Sequence, residues 1–276
     1  MPVFKQVDVF SKEKYRGNPV AVFLDADNLS TEEMSRMSAW TNLSEATFVQ
    51  RATDSKADYK VRIFSLETEL PFAGHPTIGT CHALLESGVI QPTDGKIYQE
   101  CGAGIVELEI HQEKISFELP YARRRELTPA QIQTVVTSLG VPFSTNRAAI
   151  YEVGPVWLVV RLDSASTVLS LEPDFVAVSQ VSEALGVAGF QVLGSHPEEN
   201  CFETRTFAPL LGIKEDPVCG SGSGATGAFL RDEERFNGTC LLRQGTALNR
   251  KGRVKVSVGE KISVGGASVT VLRGEY

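Results

Sequence analysis

Basic charge is in short supply in this chain: 27 Lys and Arg stand against 34 Asp and Glu, a formal net charge of −7. That balance argues against a general nucleic-acid binder, which needs a basic patch to neutralise phosphates. The one basic run, Arg123-Arg124-Arg125, reads as a solvated turn between two halves of the chain. Long apolar runs are missing as well. None approaches the roughly 20 residues that span a bilayer, and Met1-Pro2-Val3-Phe4-Lys5 lacks the basic-then-apolar pattern of a secretory signal. A cytoplasmic protein with no membrane partner is expected. The five cysteines (Cys81, Cys101, Cys201, Cys219, Cys240) are odd in number and form no CxxC pair, which counts against a disulfide framework or a zinc site. The four histidines are scattered, so no metal is expected either.

What the chain does have is a repeated segment. Glu69-Leu70-Pro71-Phe72-Ala73-Gly74-His75-Pro76 aligns with Glu215-Asp216-Pro217-Val218-Cys219-Gly220-Ser221-Gly222 at a constant offset of 146. Each copy leads through an acidic residue, a Pro and a Gly into an apolar, alanine-containing run that reads as a helix. Gly154-Pro155-Val156-Trp157-Leu158-Val159-Val160 answers Gly17-Asn18-Pro19-Val20-Ala21-Val22-Phe23 at an offset of 137, and Arg205-Thr206-Phe207 answers Arg62-Ile63-Phe64 at 143. The drift marks short loop insertions between elements kept in order, as in a diverged duplication. With 276 residues, 42% of them hydrophobic, two halves of about 130 residues can each bury a core.

The halves are placed at residues 1–119 and 130–276, with 120–129 as linker, the last strands able to return to the first half, and a site in the cleft between them. Strands are expected over residues 3–10, 20–24, 46–49 and 59–64, after a turn at Gly17-Asn18-Pro19. Ser30 or Thr31 caps a helix whose first turn is acidic. Pro76 to Leu85 reads as a mostly buried helix, and residues 105–110 and 114–119 as a hairpin. The C-terminal strands 254–256, 261–264 and 268–271 are set off by turns at Gly259 and Gly265-Gly266. Many strands and about one long helix per half give an α+β fold, each mostly antiparallel sheet curling around its helix.

The Gly-led helix starts are candidate anion sites, because the first N–H groups of a helix have no internal partner and carry the positive end of its dipole. A Gly there lets a ligand approach the backbone. Gly220-Ser221-Gly222-Ser223-Gly224 lacks the trailing Lys-Ser/Thr of a phosphate loop, which discounts nucleotide binding. Glu45 stands at the mouth of an apolar strand, where desolvation raises a carboxyl pKa toward the range useful for proton transfer. His75 is placed to donate or relay a hydrogen bond. Asp216 either serves the site or orders its own turn. Cys219 sits where a helix end can lower a thiol pKa, or is a small packing residue.

In this order these residues resemble the PhzF-type phenazine-biosynthesis family, a branch of the diaminopimelate epimerase-like fold. The matching segments are Arg16-Gly17-Asn18-Pro19-Val20-Ala21-Val22, Asn42-Leu43-Ser44-Glu45-Ala46-Thr47-Phe48, Glu69 through Thr77, Glu215-Asp216-Pro217, Gly220-Ser221, and Gln244-Gly245 with Arg250. The resemblance implies two pseudo-symmetric halves and a cofactor-free isomerisation of the kind run on dihydro-hydroxyanthranilate, a glutamate taking a proton from one carbon and returning it to another. Glu45 matches that glutamate, with His75 and Asp216 as its supporting polar residues. Asn18, Ser44, Gly74, Pro76, Cys219, Gly220, Ser221 and Gly222 fall in segments expected to hold a small carboxylate substrate. One departure bears on the chemistry. The amino-acid racemases of this fold use two cysteines, one before each Gly-led helix, whereas here Ala73 stands opposite Cys219. The first reading is a single-glutamate isomerase. An epimerase or racemase using Cys219 with a second base, and a non-catalytic carboxylate-binding protein, are the alternatives. A homodimer is expected as the commonest assembly.

Overall fold

The structure, a computed structural model, describes residues 2–143 and 147–276. The chain divides into two compact units, residues 1–118 with 265–276, and residues 119–264.

The first unit runs β1 (Val3–Val9), β2 (Asn18–Phe23), α1 (Thr31–Thr41), β3 (Glu45–Gln50), β4 (Tyr59–Ser65), β5 (Glu69–Leu70), α2 (Gly74–Glu86), β6 (Lys96–Cys101), β7 (Gly104–His111) and β8 (Lys114–Glu118). The second adds β9 (Arg123–Arg125), α3 (Pro129–Leu139), β10 (Ala148–Glu152), β11 (Val156–Arg161), α4 (Ala165–Leu169), α5 (Phe175–Leu185), β12 (Gly189–Ser195), β13 (Cys201–Ala208), β14 (Ile213–Asp216), α6 (Gly220–Glu234), β15 (Gly238–Gln244) and β16 (Gly252–Val258). The last strand, β17 (Ile262–Glu275), begins in the second unit and ends in the first.

Strand pairing shows the duplication directly. β2 is antiparallel to β1 and parallel to β3, β3 antiparallel to β4, and β4 antiparallel to β5 and parallel to β6. In the second unit β11 is antiparallel to β10 and parallel to β12, β12 antiparallel to β13, and β13 antiparallel to β14 and parallel to β15. Helices fill the same intervals in both: α1 against α4 and α5, and α2 against α6. Antiparallel pairs predominate, so the fold is α+β. In the first unit the pairings close through β6–β7, β7–β8, β8–β17 and β17–β1 into a ring with no free edge. α2 packs on β1, β2, β3 and β8 of that ring and is buried over most of its length.

Several elements differ from the sequence expectation. Asn18 and Pro19 belong to β2 rather than to a turn. Proline is tolerated there because Pro19 faces only β1, the parallel pairing with β3 starting at Ala21. α2 starts at Gly74 and not at Pro76. Among the described residues the second unit has four α-helices, where about one long helix was expected. α3 is announced by a capping box at Thr128 and Gln131 with Pro129 at its start, and α5 by Asp174 accepting from the Val176 and Ala177 N–H groups.

The stretch read as a linker carries β9, whose arginines pair along β10. They are not a bare solvated turn: Arg123 meets Glu152, Arg124 meets Glu126 and Glu233, and Arg125 donates to the Leu185 carbonyl. Gly265-Gly266 makes no turn either, for β17 runs straight through it. A Cβ on Gly265 would lie 2.5 Å from Ser116 Cβ, so this glycine marks a close approach to β8. Ser30 caps α1 in a full capping box with Glu33, as its sequence announces.

Candidate active site

In the first unit two of the expected residues meet. Glu45 is the first residue of β3, His75 the second of α2, and Glu45 Oε2 lies 3.5 Å from His75 Nε2 with the His75 ring 6% exposed and the Glu45 side chain 19%. The turn that delivers Glu45 is built by the left-handed C-cap of α1 at Asn42 (φ 54°), which reverses the chain into Ser44. Burial pushes the Glu45 carboxyl above the ordinary glutamate range, against a hydrogen bond from Ser44 that favours the charged form. Glu45 Oε2 is buried and makes no hydrogen bond. A carboxylate so poised takes a proton more readily than one in water.

Ala73, at the cap position of α2, has no side-chain acceptor, so this helix starts without a side-chain cap. Gly74 has a packing cause: a Cβ there would sit 2.6 Å from the Phe117 ring. Asn18 is buried at the start of β2, and the Pro76 carbonyl accepts from Thr80 within the helix.

In the second unit the start of α6 gathers the other expected residues. Cys219 Sγ is the cap, accepting from the Gly222 N–H at 3.3 Å. Asp216 Oδ1 accepts from the Val218 N–H at 3.0 Å and so orders the turn. Gly222 must be small because a Cβ would meet Gln191 Oε1 at 2.5 Å and Cys219 Sγ at 3.1 Å. Ser221 Oγ lies 3.7 Å from Cys219 Sγ and accepts the Trp157 indole N–H at 3.0 Å. The Cys219 N–H is held by Gln244 Oε1, while Gln244 Nε2 donates to the Asp216 carbonyl.

The expectation of a lowered thiol pKa at Cys219 is reversed. Burial, and after it the Asp216 carboxylate, hold this thiol well above the usual range. Desolvation and a neighbouring negative charge outweigh the helix end. Cys219 is a neutral cap rather than a thiolate. Cys219→Ser, which keeps a capping oxygen, is therefore expected to change unfolding free energy by less than about 1 kcal/mol. Wild-type Cys219 is expected to react with iodoacetamide at pH 8 far more slowly than the same thiol in urea-unfolded protein. Equal rates would show an accessible thiolate.

Two further features stand out here, the first missed by sequence reasoning and the second partly legible in it, since the stretch Ala188-Gly189-Phe190 offers no carboxylate to match Glu45. The first is a pair of arginine forks behind the Gly-led helices. Arg62 Nε and Nη2 hold the two carboxylate oxygens of Glu69, and Arg205 Nε and Nη2 hold those of Glu215. Both partners stood in the aligned segments, but only the β4–β5 and β13–β14 pairings bring them together. The second concerns the counterpart of Glu45. Ala46 faces Phe64 across β3–β4 as Phe190 faces Phe207 across β12–β13, so Glu45 corresponds to Gly189. A Cβ on Gly189 would lie 2.1 Å from the Phe207 carbonyl oxygen, so the position has no room for any side chain. Gly189→Ala is expected to cost about 1–3 kcal/mol or more, read as a lower urea midpoint at unchanged slope. A midpoint equal to wild type would show that the β12–β13 contact accommodates a methyl group.

Among the described residues no group of three or more His, Cys, Asp and Glu side chains is arranged to hold a metal ion, and no helix is long and apolar enough to cross a membrane.

The profile of the PhzC-PhzF family, described as phenazine biosynthesis-like protein, matches residues 7–274. The chain is 46% identical to antisense-enhancing sequence 1 of Schizosaccharomyces pombe, over 99% of this chain and 97% of that one. It is 32% identical to trans-2,3-dihydro-3-hydroxyanthranilate isomerase of Pseudomonas aeruginosa, over 93% and 91%. In fold it is similar to the crystal structure of a PhzF-family phenazine biosynthesis protein of Bacillus anthracis, with a TM-score of 0.87 at 23% identity, covering 100% of this chain and 98% of that one.

Proposed function

Since the chain belongs to the phenazine biosynthesis-like PhzC-PhzF family, whose relatives include named isomerases, we propose that it is a cofactor-independent isomerase that moves a proton on a small carboxylate-bearing substrate through Glu45. The supporting observation is the buried Glu45 carboxylate with its raised pKa, 3.5 Å from His75 at a helix start. In the proposed cycle Glu45 takes a proton from a substrate carbon, and the electron pair left behind spreads into the adjacent unsaturated system. The protonated Glu45 then returns the proton to a different carbon, so base and product are restored with no net change in atoms. His75, 3.5 Å from Glu45 Oε2, is placed to donate or relay a hydrogen bond to the substrate. A positioned acid–base group contributes about 10²–10⁴-fold to rate.

That the start of α6 receives the substrate's carboxylate, and that both Gly-led segments serve one substrate, are parts of the proposal. The racemase alternative needs a second base, and Cys219, a buried thiol with its pKa held up, is poorly suited to that role. A Glu45 remote from the Gly-led turns would have favoured a non-catalytic binding protein; its approach to His75 weighs the other way.

The test is proton NMR of trans-2,3-dihydro-3-hydroxyanthranilate and a panel of unsaturated cyclic carboxylates incubated with the protein in deuterated water. Migration of a double bond with at most one solvent deuterium at the new site supports the reading. Inversion at an α-carbon, lost in Cys219→Ser, would replace it with the epimerase. No turnover of any panel member, with carboxylates still binding, would leave the binding protein.

A further inference from the structure

The broken symmetry between the units assigns a role to Trp157. By strand register Trp157 lies beside Gly189 across the parallel β11–β12 pair. Because β2 and β3 align Ala21 with Ala46, the matching positions of the first unit are Val20 and Glu45. At the helix starts Ser221 corresponds to His75, at the offset of 146. The first unit thus carries Val20, Glu45 and His75 where the second carries Trp157, Gly189 and Ser221. The position with no side chain, Gly189, lies next to the one that carries an indole. The contact Glu45–His75 has its counterpart in Trp157–Ser221.

The two contacts have opposite polarity. Glu45 offers acceptors. The Trp157 indole has one N–H and no acceptor, it is 3% exposed, and it spends that N–H on Ser221 Oγ at 3.0 Å. A hydroxyl that accepts from the indole has its own hydrogen left to donate elsewhere. Cys219 Sγ, at 3.7 Å and already accepting from the Gly222 N–H, is a weak competitor for it. We propose that Trp157 is a positioning residue which fixes Ser221 as a hydrogen-bond donor to the substrate carboxylate at the start of α6. The inference rests on the carboxylate-binding role proposed above for that helix start. It gives the start of α6 an anion-holding role, and leaves Gly189, with no side chain, at the position where the first unit has Glu45.

The experiment uses 1-cyclohexenecarboxylate and its neutral amide as probes, titrated into the isotope-labelled full chain and followed by the indole N–H signal. Only two tryptophans occur, and Trp40, 87% exposed, is assigned by a Trp40→Phe variant. In wild type the acid is expected to bind tighter than the amide and to shift the Trp157 signal. Trp157→Phe and Ser221→Ala are each expected to weaken the acid about tenfold, within the range for a hydrogen bond to a charged group, and to leave the amide within about twofold. The double variant is expected to be no weaker than Ser221→Ala alone, since the two act as one unit. Wild type binding acid and amide alike would remove the carboxylate site and this inference with it. Wild type preferring the acid while Trp157→Phe prefers it equally, or losses that add in the double variant, would overturn the role of Trp157 alone. Should Trp157→Phe not fold, an acid preference undiminished in Ser221→Ala, or a Trp157 signal unmoved by the acid, overturns it too.

Discussion

Glu45→Gln is expected to lose about 10²–10⁴-fold in turnover and, at neutral pH, to gain stability. Both effects have one origin. Folding buries the Glu45 carboxyl and raises its pKa from 4.5. The folded chain therefore holds this proton more tightly than the unfolded chain does. Between 4.5 and the raised folded value the native state binds more protons, so this group's contribution to stability falls as pH rises through that window. Above the window the folded protein carries the whole cost of a desolvated negative charge. Glutamine has the same shape and no charge to desolvate. Urea unfolding at pH 4 and pH 7 measures the effect: the variant's advantage over wild type should be larger at pH 7. An advantage that shrinks with pH would mean that attractive contacts to the charged form outweigh desolvation. Full turnover of a confirmed substrate by the variant would end the proposed mechanism.

The second large effect separates two copies of one motif. Arg205 and Glu215 form a two-pronged ion pair with side chains only 8% and 7% exposed, and Arg205 also donates to the Val168 and Leu171 carbonyls. Its guanidinium lies 4.9 Å from the Phe207 ring centre. Arg205→Met would leave Glu215 charged and buried with its main partner gone, an expected loss of about 3–5 kcal/mol. The matching pair in the first unit, Arg62 and Glu69, has side chains 21% and 41% exposed. Water can replace the lost contacts there, so Arg62→Met should cost about 0–1 kcal/mol. Urea midpoints of the two variants read the contrast. Equal losses would show that burial is not what separates the copies. The equivalent Arg and Glu, on equivalent strands, differ in how much solvent reaches them and in the two carbonyls that Arg205 also holds.

Much of this was legible in the sequence because the duplication preserves element order. The segments matched at offsets 137, 143 and 146 are β2 with β11, β4 with β13, and the two Gly-led helix starts. Glu45 and His75 were legible as well, through what precedes and follows them along the chain. The glycines stood out in the sequence as places for ligand approach, and the structure adds a packing cause: Phe117 at Gly74, and Gln191 and Cys219 at Gly222. Phe117 and Gln191 come from remote strands, and no local spacing encodes them. Cys219 failed for a related reason. A helix start is visible in sequence, while the burial and the Asp216 carboxylate that push the thiol the other way are not. Trp157 looked like one more apolar residue of a buried strand. Only the register of β11 on β12 puts it beside the empty Gly189 position and within reach of Ser221.

The path of β17 ties the closing of the first unit's ring to residues that follow the second unit in sequence. Its residues from Gly265 onward belong to the unit made first, and they pair with β1 from Val3↔Glu275 to Val9↔Ser268. During synthesis residues 119–264 are all available before the ring of the first unit can close. The half that leaves the ribosome first therefore stays open until the half that follows it is complete. In the interval β1 and β8 present bare edges, the kind of surface on which growing chains pair wrongly with one another. Glu45 and His75 belong to that same late-closing half.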